Sequence, residues 1–347
     1  MASGPLNLIT DVGGLTVGNA DDDRRMSGVT VIVPTRPVVA AVDVRGGGPG
    51  TRETDALSLA GSVDEIHGLV LSGGSAFGLA AASAVQAWLA LKGIGFRVRE
   101  AVVPIVPQAV LFDLVNGGDK SGLDGDVYMA LARQALANAS PLAFRIGSAG
   151  AGYGATTATA RGGLGSASAV VPGGFVVGAL AAVNPVGSVT MGATAHFWSH
   201  PLEHGTEYGG LGPPPVWSGP PDPPPLKGAV AENTTLAVVA TNARLTKPQA
   251  YRLAVMAHTG LARAIHPVHT PLDGDIVFAL ATGDVALTDP HRTLTLLGGV
   301  AADALSRAIS RGVYHASPVP AGWTGPPAYC EQFGATPPRA KSDRSFP

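Results

Sequence analysis

The chain is poor in charge, in aromatic residues and above all in cysteine. Asp, Glu, Lys and Arg make up 14% of 347 residues, against about 25% in an average soluble domain. A surface so short of charge needs cover, which oligomer interfaces supply. The net charge of −2, with basic residues scattered, leaves no footprint for a phosphate backbone and excludes nucleic acid as a partner. Cys330 is the one cysteine, so no intrachain disulfide forms; that suits a reducing compartment and excludes a stapled secreted scaffold. The opening MASGPLNLITDVGG has neither a basic n-region nor a continuous apolar h-region, so no secretory signal is read. Long hydrophobic runs are missing too: the most membrane-like stretch, 170–183, is broken by Pro172 and two glycines and is too short to span a bilayer. A soluble, cytoplasmic protein without a membrane partner is expected.

Apolar residues (46%), 47 glycines and 29 prolines are what the chain has in quantity. Short β-branched runs between Gly and Pro predict strands at 29–33, 38–44, 68–71, 175–183, 236–240 and 276–280. Apolar residues at helical spacing predict helices at 75–91, 126–137, 247–265 and 294–311. Several neighbouring strands are joined too tightly for a crossover helix. A layered α/β sandwich, sheets face to face with helices outside, fits better than a regular βαβ winding. The proline-dense linker 213–230 divides the sequence, although a strand after it can still sit in a common sheet. The tail 316–347 reads as an extension with little regular structure.

Asn233-Thr234 follows that linker and opens the apolar run TTLAVVATN. Two bland readings exist: Asn233-Thr234-Thr235 fits a glycosylation acceptor, and Thr is a good strand residue. The chemical reading is self-cleavage. If the Thr234 hydroxyl attacks the Asn233 carbonyl carbon, the peptide becomes an ester, and hydrolysis leaves Thr234 with a free α-amine. Such an amine, with a reference pKa of about 7.7 to 8.0, can serve as base to its own hydroxyl.

Other segments could complete such a site. In His269-Thr-Pro-Leu-Asp273-Gly-Asp275, two acids flank a glycine just before a strand. They could hold a hydroxyl or an ammonium, or merely cap the turn; a calcium loop lacks its remaining ligands. Asn184 ends a strand and precedes a proline, as an oxyanion donor or an Asx-turn would. Ser75 lies at a strand-to-helix turn, but Phe77 breaks the G-x-S-x-G elbow, so an N-cap or substrate wall is expected. The glycine runs 46–50 and 147–154 match no nucleotide-binding pattern. His196, His200 and His204 recur every fourth residue, but Pro201 interrupts any helix and no partner acid accompanies them. A solvated loop is expected there, with no metal and no cofactor.

Taken together, Asn-Thr-Thr at 233–235, His-Thr-Pro-Leu-Asp-Gly-Asp at 269–275 and Val-Asn-Pro-Val-Gly at 183–187 resemble the self-processing N-terminal-nucleophile hydrolases. These include L-aminopeptidase/D-esterases, β-peptidyl aminopeptidases and nylon-oligomer endohydrolases. The resemblance runs over roughly residues 7 to 315. It implies a four-layered αββα sandwich of α/β (α+β) class, cleaved into chains 1–233 and 234–347 that share one fold, commonly as a homotetramer. By that resemblance Thr234 is the nucleophile, Asn184 helps bind the oxyanion, and Asp273 and Asp275 orient the nucleophile and its amine. Where the nylon hydrolases carry a lysine, this chain has Thr159, with Arg161 as a possible substitute; a tyrosine near the substrate is Phe112 here. Phe112, Ser75, Arg161 and Thr159 are therefore the expected substrate contacts. The implied activity is hydrolysis of amides of short peptides or ω-amino-acid oligomers. The alternatives are an unprocessed binding or scaffold protein and a Ser75 hydrolase.

Overall fold

The computed structural model describes residues 1–228 and 233–335. Positions 229–232, which include the end of the expected linker, and 336–347 of the expected tail lie outside the described residues.

Thirteen strands and five α-helices are formed by the described residues. One sheet contains β1 (Leu15–Asp22), β2 (Ser27–Pro34), β4 (Gly50–Arg52), β6 (Leu69–Ser72) and β9 (Gln108–Val110), in the order β1-β2-β6-β9-β4. The second contains β3 (Val38–Val44), β5 (Glu65–Ile66), β10 (Gly163–Val171), β11 (Phe175–Asn184), β12 (Thr234–Ala243) and β13 (Ile276–Val285), in the order β10-β11-β12-β13-β3-β5. β7 (Phe96–Val98) and β8 (Ala101–Val103) form a separate hairpin. The helices are α1 (Ala81–Leu91), α2 (Gly125–Ala137), α3 (Lys247–Ala264), α4 (Pro290–Tyr314) and α5 (Tyr329–Phe333).

Strand alternation explains why the layers number four. Along β12, Leu236, Val238 and Ala240 join one core, while Ala237 and Val239 join another. Along β13, Ile276, Phe278 and Leu280 divide in the same way from Val277 and Ala279. The first set meets Ile32, Leu69 and Leu71 of the other sheet, so it fills the space between the sheets. The second packs under α3 and α4, and the outer face of the first sheet buries Val29, Val31 and Val70 under α1 and α2. With both faces covered, strands read as continuous apolar runs. The arrangement is the expected αββα sandwich.

Several expectations need correction. The stretch 75–91 is not one helix: a 3-10 turn at Ser75–Ala80 precedes α1. Ser75 is not its cap, because Gly74 holds that place and no side-chain cap bond forms. Ser75 instead has φ of 51°, a left-handed conformation uncommon for a residue with a Cβ. The strands β1 and β10 escape a β-branched search because helices press on them. A Cβ on Gly165 would strike the carbonyl of Ala308 in α4, so small residues replace the usual ones. The described tail is also more ordered than expected. α5 forms, and buried Tyr329 stacks on Phe197 with ring centroids 4.9 Å apart.

Candidate active site

β12 begins at Thr234, and the strand register fixes what surrounds it. In the antiparallel pair β11·β12, Asn184 lies directly opposite Thr234. In the parallel pair β12·β13, Leu236 lies level with Ile276, which brings the turn before β13 alongside Asn233 and Thr234. Two backbone hydrogen bonds lock that turn to the residue before the strand and make a parallel bridge between Asn233 and Asp273: the Asn233 N–H donates to the Leu272 carbonyl at 3.3 Å, and its carbonyl accepts the Gly274 N–H at 2.7 Å. The Thr234 hydroxyl donates to the same carbonyl oxygen at 2.6 Å. Both Asn233 and Thr234 are buried, and neither polar atom of the Asn233 side chain has a partner among the described residues.

The two acids are fully buried and are fixed by different neighbours. Asp275 accepts the Thr235 N–H at 2.8 Å on one oxygen, and the His269 backbone N–H (3.1 Å) and ring Nδ1 (2.8 Å) on the other. Asp273 accepts from the Val186 N–H at 2.9 Å and from the Thr270 N–H and hydroxyl at 2.9 and 2.7 Å. Burial raises the pKa of Asp273, and the negative charge of Asp275 raises it further, against the Thr270 and Val186 hydrogen bonds. This is the usual outcome for two carboxylates in one dry place. Behind them, the rings of His269 and His258 meet edge to face at 5.0 Å, and His258 is kept below the ordinary imidazole range by burial.

The glycine run 46–50 proves to be the support of this turn. Arg45 and Gly46 donate to the Asp275 carbonyl, Gly48 to the Asp273 carbonyl at 2.7 Å. A Cβ on Gly46 would strike the backbone of Asp273 and Asp275. Nucleotide patterns gave no hint of this role, since what the run provides is close backbone approach.

Asn184 has every side-chain group engaged. Its Oδ1 accepts the Thr156 N–H at 2.9 Å and the Lys227 ammonium at 2.8 Å, and its Nδ2 donates to the Phe112 carbonyl at 3.1 Å. Lys227, in the described part of the linker, also donates to the Thr156 carbonyl at 3.1 Å; nothing in the sequence reading singled it out. A cleft of about 240 Å³ reaches Asn233 and Thr234 between Gly48, Ser75, Phe112 and Leu272. Ser75 and Phe112 thus lie at the cleft.

Thr159 and Arg161 do not. The Thr159 hydroxyl is 3.2 Å from that of Thr190. Arg161 is buried, stacks on the Tyr153 and Trp323 rings, and donates to the carbonyls of Tyr153, Ser317 and Pro318. Its two terminal nitrogens are held by these carbonyls, while Nε has no hydrogen-bond partner among the described residues, so the structure does not bring this expected substrate contact to the cleft. Of the three spaced histidines, His196 bonds the Gly212 carbonyl and His204 the Ser3 hydroxyl, each at 2.9 Å. Among the described residues no group of three or more His, Cys, Asp or Glu is placed to hold a metal. No helix among them is long and apolar enough to cross a membrane.

The chain matches the model of peptidase family S58 over residues 7–324. A Mycobacterium tuberculosis protein named as an uncharacterized aminopeptidase is 42% identical over 359 residues, covering 94% of this chain and 98% of the relative. A 6-aminohexanoate-oligomer endohydrolase of Kocuria sp. is 30% identical over 334 residues, covering 89% and 86%. Among solved structures, a Burkholderia sp. beta-aminopeptidase superposes with a TM-score of 0.72 at 24% identity, covering 95% of this chain and 92% of that one. The L-aminopeptidase D-Ala-esterase/amidase of Ochrobactrum anthropi, a variant of the Ntn hydrolase fold, gives 0.68 at 22% identity and 96% of each chain. This chain belongs to peptidase family S58 and is a hydrolase with the Ntn fold.

Proposed function

We propose that this member of peptidase family S58 is a self-cleaving amidohydrolase whose mature nucleophile is Thr234. The observation that carries the reading is the shared oxygen at the Asn233 carbonyl, 2.6 Å from the Thr234 hydroxyl oxygen and 2.7 Å from the Gly274 nitrogen. Nucleophile and oxyanion donor thus meet at one carbonyl group. In processing, Thr234 Oγ adds to the Asn233 carbonyl carbon while the Gly274 N–H holds the developing oxyanion. The C–N bond then breaks, the nitrogen leaves with the hydroxyl proton, and an ester joins Asn233 to Thr234. Water hydrolyses the ester, giving a chain that ends at Asn233 and one that begins at Thr234 with a free amine. The buried, unpartnered Asn233 amide favours cleavage, since such a group costs about 1–3 kcal/mol while it stays enclosed.

The mature reaction repeats these steps on substrate. Thr234 Oγ attacks the substrate amide, its α-amine takes the proton and returns it to the leaving nitrogen, and water releases the acyl group. The second N–H of Asn184 Nδ2, beside the one given to the Phe112 carbonyl, and a backbone N–H hold the oxyanion; Asp273 and Asp275 orient the nucleophile and its amine. The substrates are short peptides or ω-amino-acid oligomers, in keeping with relatives named aminopeptidase and 6-aminohexanoate-oligomer endohydrolase. We read the enzyme as cytoplasmic and homotetrameric, in keeping with a lone thiol and with Phe96, Val98 and Val103 exposed on the β7·β8 hairpin; light scattering tests the assembly.

Mass spectrometry of the purified protein tests the central claim. Two chains that split after residue 233 are expected, and Thr234→Ala leaves one. An active wild-type enzyme still continuous through that bond overturns the proposal.

A further inference from the structure

Lys227 stands upstream of the scissile bond, in the linker, yet both of its ends are tied to the region around Asn184. Its backbone N–H donates to the Val186 carbonyl at 2.9 Å. Its ammonium donates to Asn184 Oδ1 at 2.8 Å and to the Thr156 carbonyl at 3.1 Å. Thr156 closes the arrangement, since its own N–H donates to the same Asn184 oxygen at 2.9 Å. Asn184 is fully buried, and its Nδ2 gives one N–H to the Phe112 carbonyl at 3.1 Å. The side-chain amide is thus pinned in one orientation. Its oxygen faces a cation and a backbone N–H, and its nitrogen is the end left for an oxyanion beside Thr234, the residue opposite in register.

The Thr156 and Phe112 backbone groups already fix which way the amide points, so what the ammonium adds is charge. A cation on Oδ1 draws electron density from the amide and makes each Nδ2 N–H a stronger donor, as neighbouring hydrogen bonds polarise one another in a buried network. It also places a full positive charge one amide away from the position where the oxyanion develops, in surroundings that screen it less than water does. We propose that Lys227 is a positioning residue for the mature reaction, fixing and polarising the Asn184 amide so that its second N–H holds the substrate oxyanion. The inference rests on the Thr234 reading given above. It gives the upstream side of the cut a lasting task, because the chain that ends at Asn233 must keep Lys227 beside Asn184 after cleavage.

Lys227→Ala removes the ammonium and leaves a void beside a cavity of about 210 Å³ that the lysine lines together with Thr156 and Asn233, so a small cation can enter. Split chains are assayed on alanyl and 6-aminohexanoyl p-nitroanilides. Lys227→Ala should lose about 10-fold or more in kcat with KM little changed, the pattern expected when a hydrogen bond from a charged donor acts only on the transition state. Propylammonium replaces the missing atoms and is protonated at neutral pH, as a lysine amine is. It should restore much of the lost kcat in Lys227→Ala without raising that of the wild type, whereas propanol should restore nothing. In an Asn184→Ala background, Lys227→Ala should cost little more, because the group it acts through is gone. If Lys227→Ala fails to fold, Lys227→Met, which keeps the aliphatic stem, should show the same loss in kcat. A folded variant with wild-type or higher kcat, a loss confined to KM, a loss that propylammonium does not reverse, or losses that multiply in the double variant each overturn the role of Lys227 alone. An unsplit, inactive wild-type chain instead removes the reading on which it rests.

Discussion

A Cβ added to Gly274 would lie 2.6 Å from the Thr234 hydroxyl oxygen and 2.7 Å from the Gly48 carbonyl oxygen. Neither the Gly48 carbonyl nor the Thr234 hydroxyl can be approached so closely without moving. Gly274→Ala should therefore shift both the hydroxyl and the N–H that donates to the Asn233 carbonyl. Loss of one oxyanion donor slows acyl transfer by roughly 100-fold or more. Over a time course on denaturing gels, the variant should stay in one piece long after the wild type has split. Splitting at the wild-type rate would mean that the Gly274 N–H takes no part.

His269 has φ of 54° and donates from Nδ1 to Asp275 at 2.8 Å. The conformation is unfavourable for most residues with a Cβ, and Asn tolerates it best. Asn also places an amide nitrogen close to where His carries Nδ1. His269→Ala should lower kcat by about 10-fold or more, as expected when a hydrogen bond to a charged group worth about 1.5–3 kcal/mol is lost. His269→Asn should recover much of that loss. Equal kcat values for the two variants would show that the ring's hydrogen bond does not position Asp275.

The contrast between Thr234 and Arg161 explains how much could be read in advance. Thr234, Asn184, Asp273 and Asp275 each lie at an end of a β-branched run, and strand ends converge once adjacent strands are paired in register. Local pattern therefore locates them. The four layers were legible for the same reason, because runs buried on both faces imply cover on both sides. Arg161 lies away from the cleft because the carbonyls of Ser317 and Pro318 that bind it arrive from a distant tail, and counting along the chain says nothing about side-chain direction. Lys227 and Gly46 were invisible for a related reason, since each matters through backbone or side-chain groups far away in sequence. The strain at Ser75 and His269 also has no local signature in residue type.

Arg161 yields a stability prediction of its own. Replacing it with Met keeps the apolar length but leaves the Tyr153, Ser317 and Pro318 carbonyls without that donor, each a loss of about 1–3 kcal/mol where water cannot reach. Limited proteolysis of Arg161→Met should open the chain near residues 317–327 under conditions where the wild type resists. An unchanged digestion pattern and melting temperature would show that the tail is held by its own packing, led by Tyr329.

His315 yields a prediction on the acid side. Burial, with Arg311 adding repulsion, lowers its pKa to about 4, while the unfolded chain titrates at about 6.5. The folded state therefore favours neutral imidazole, and the unfolded state binds the extra proton between those two values. Stability from this group is fully present above about pH 6.5 and is lost as pH falls through about 4, by on the order of 3 kcal/mol. Thermal melts from pH 7 down to pH 4 should show the wild type losing stability more steeply than His315→Gln, which cannot take up the proton. The two curves should run parallel above about pH 7. Parallel curves across the whole range would remove His315 as the acid-sensitive group.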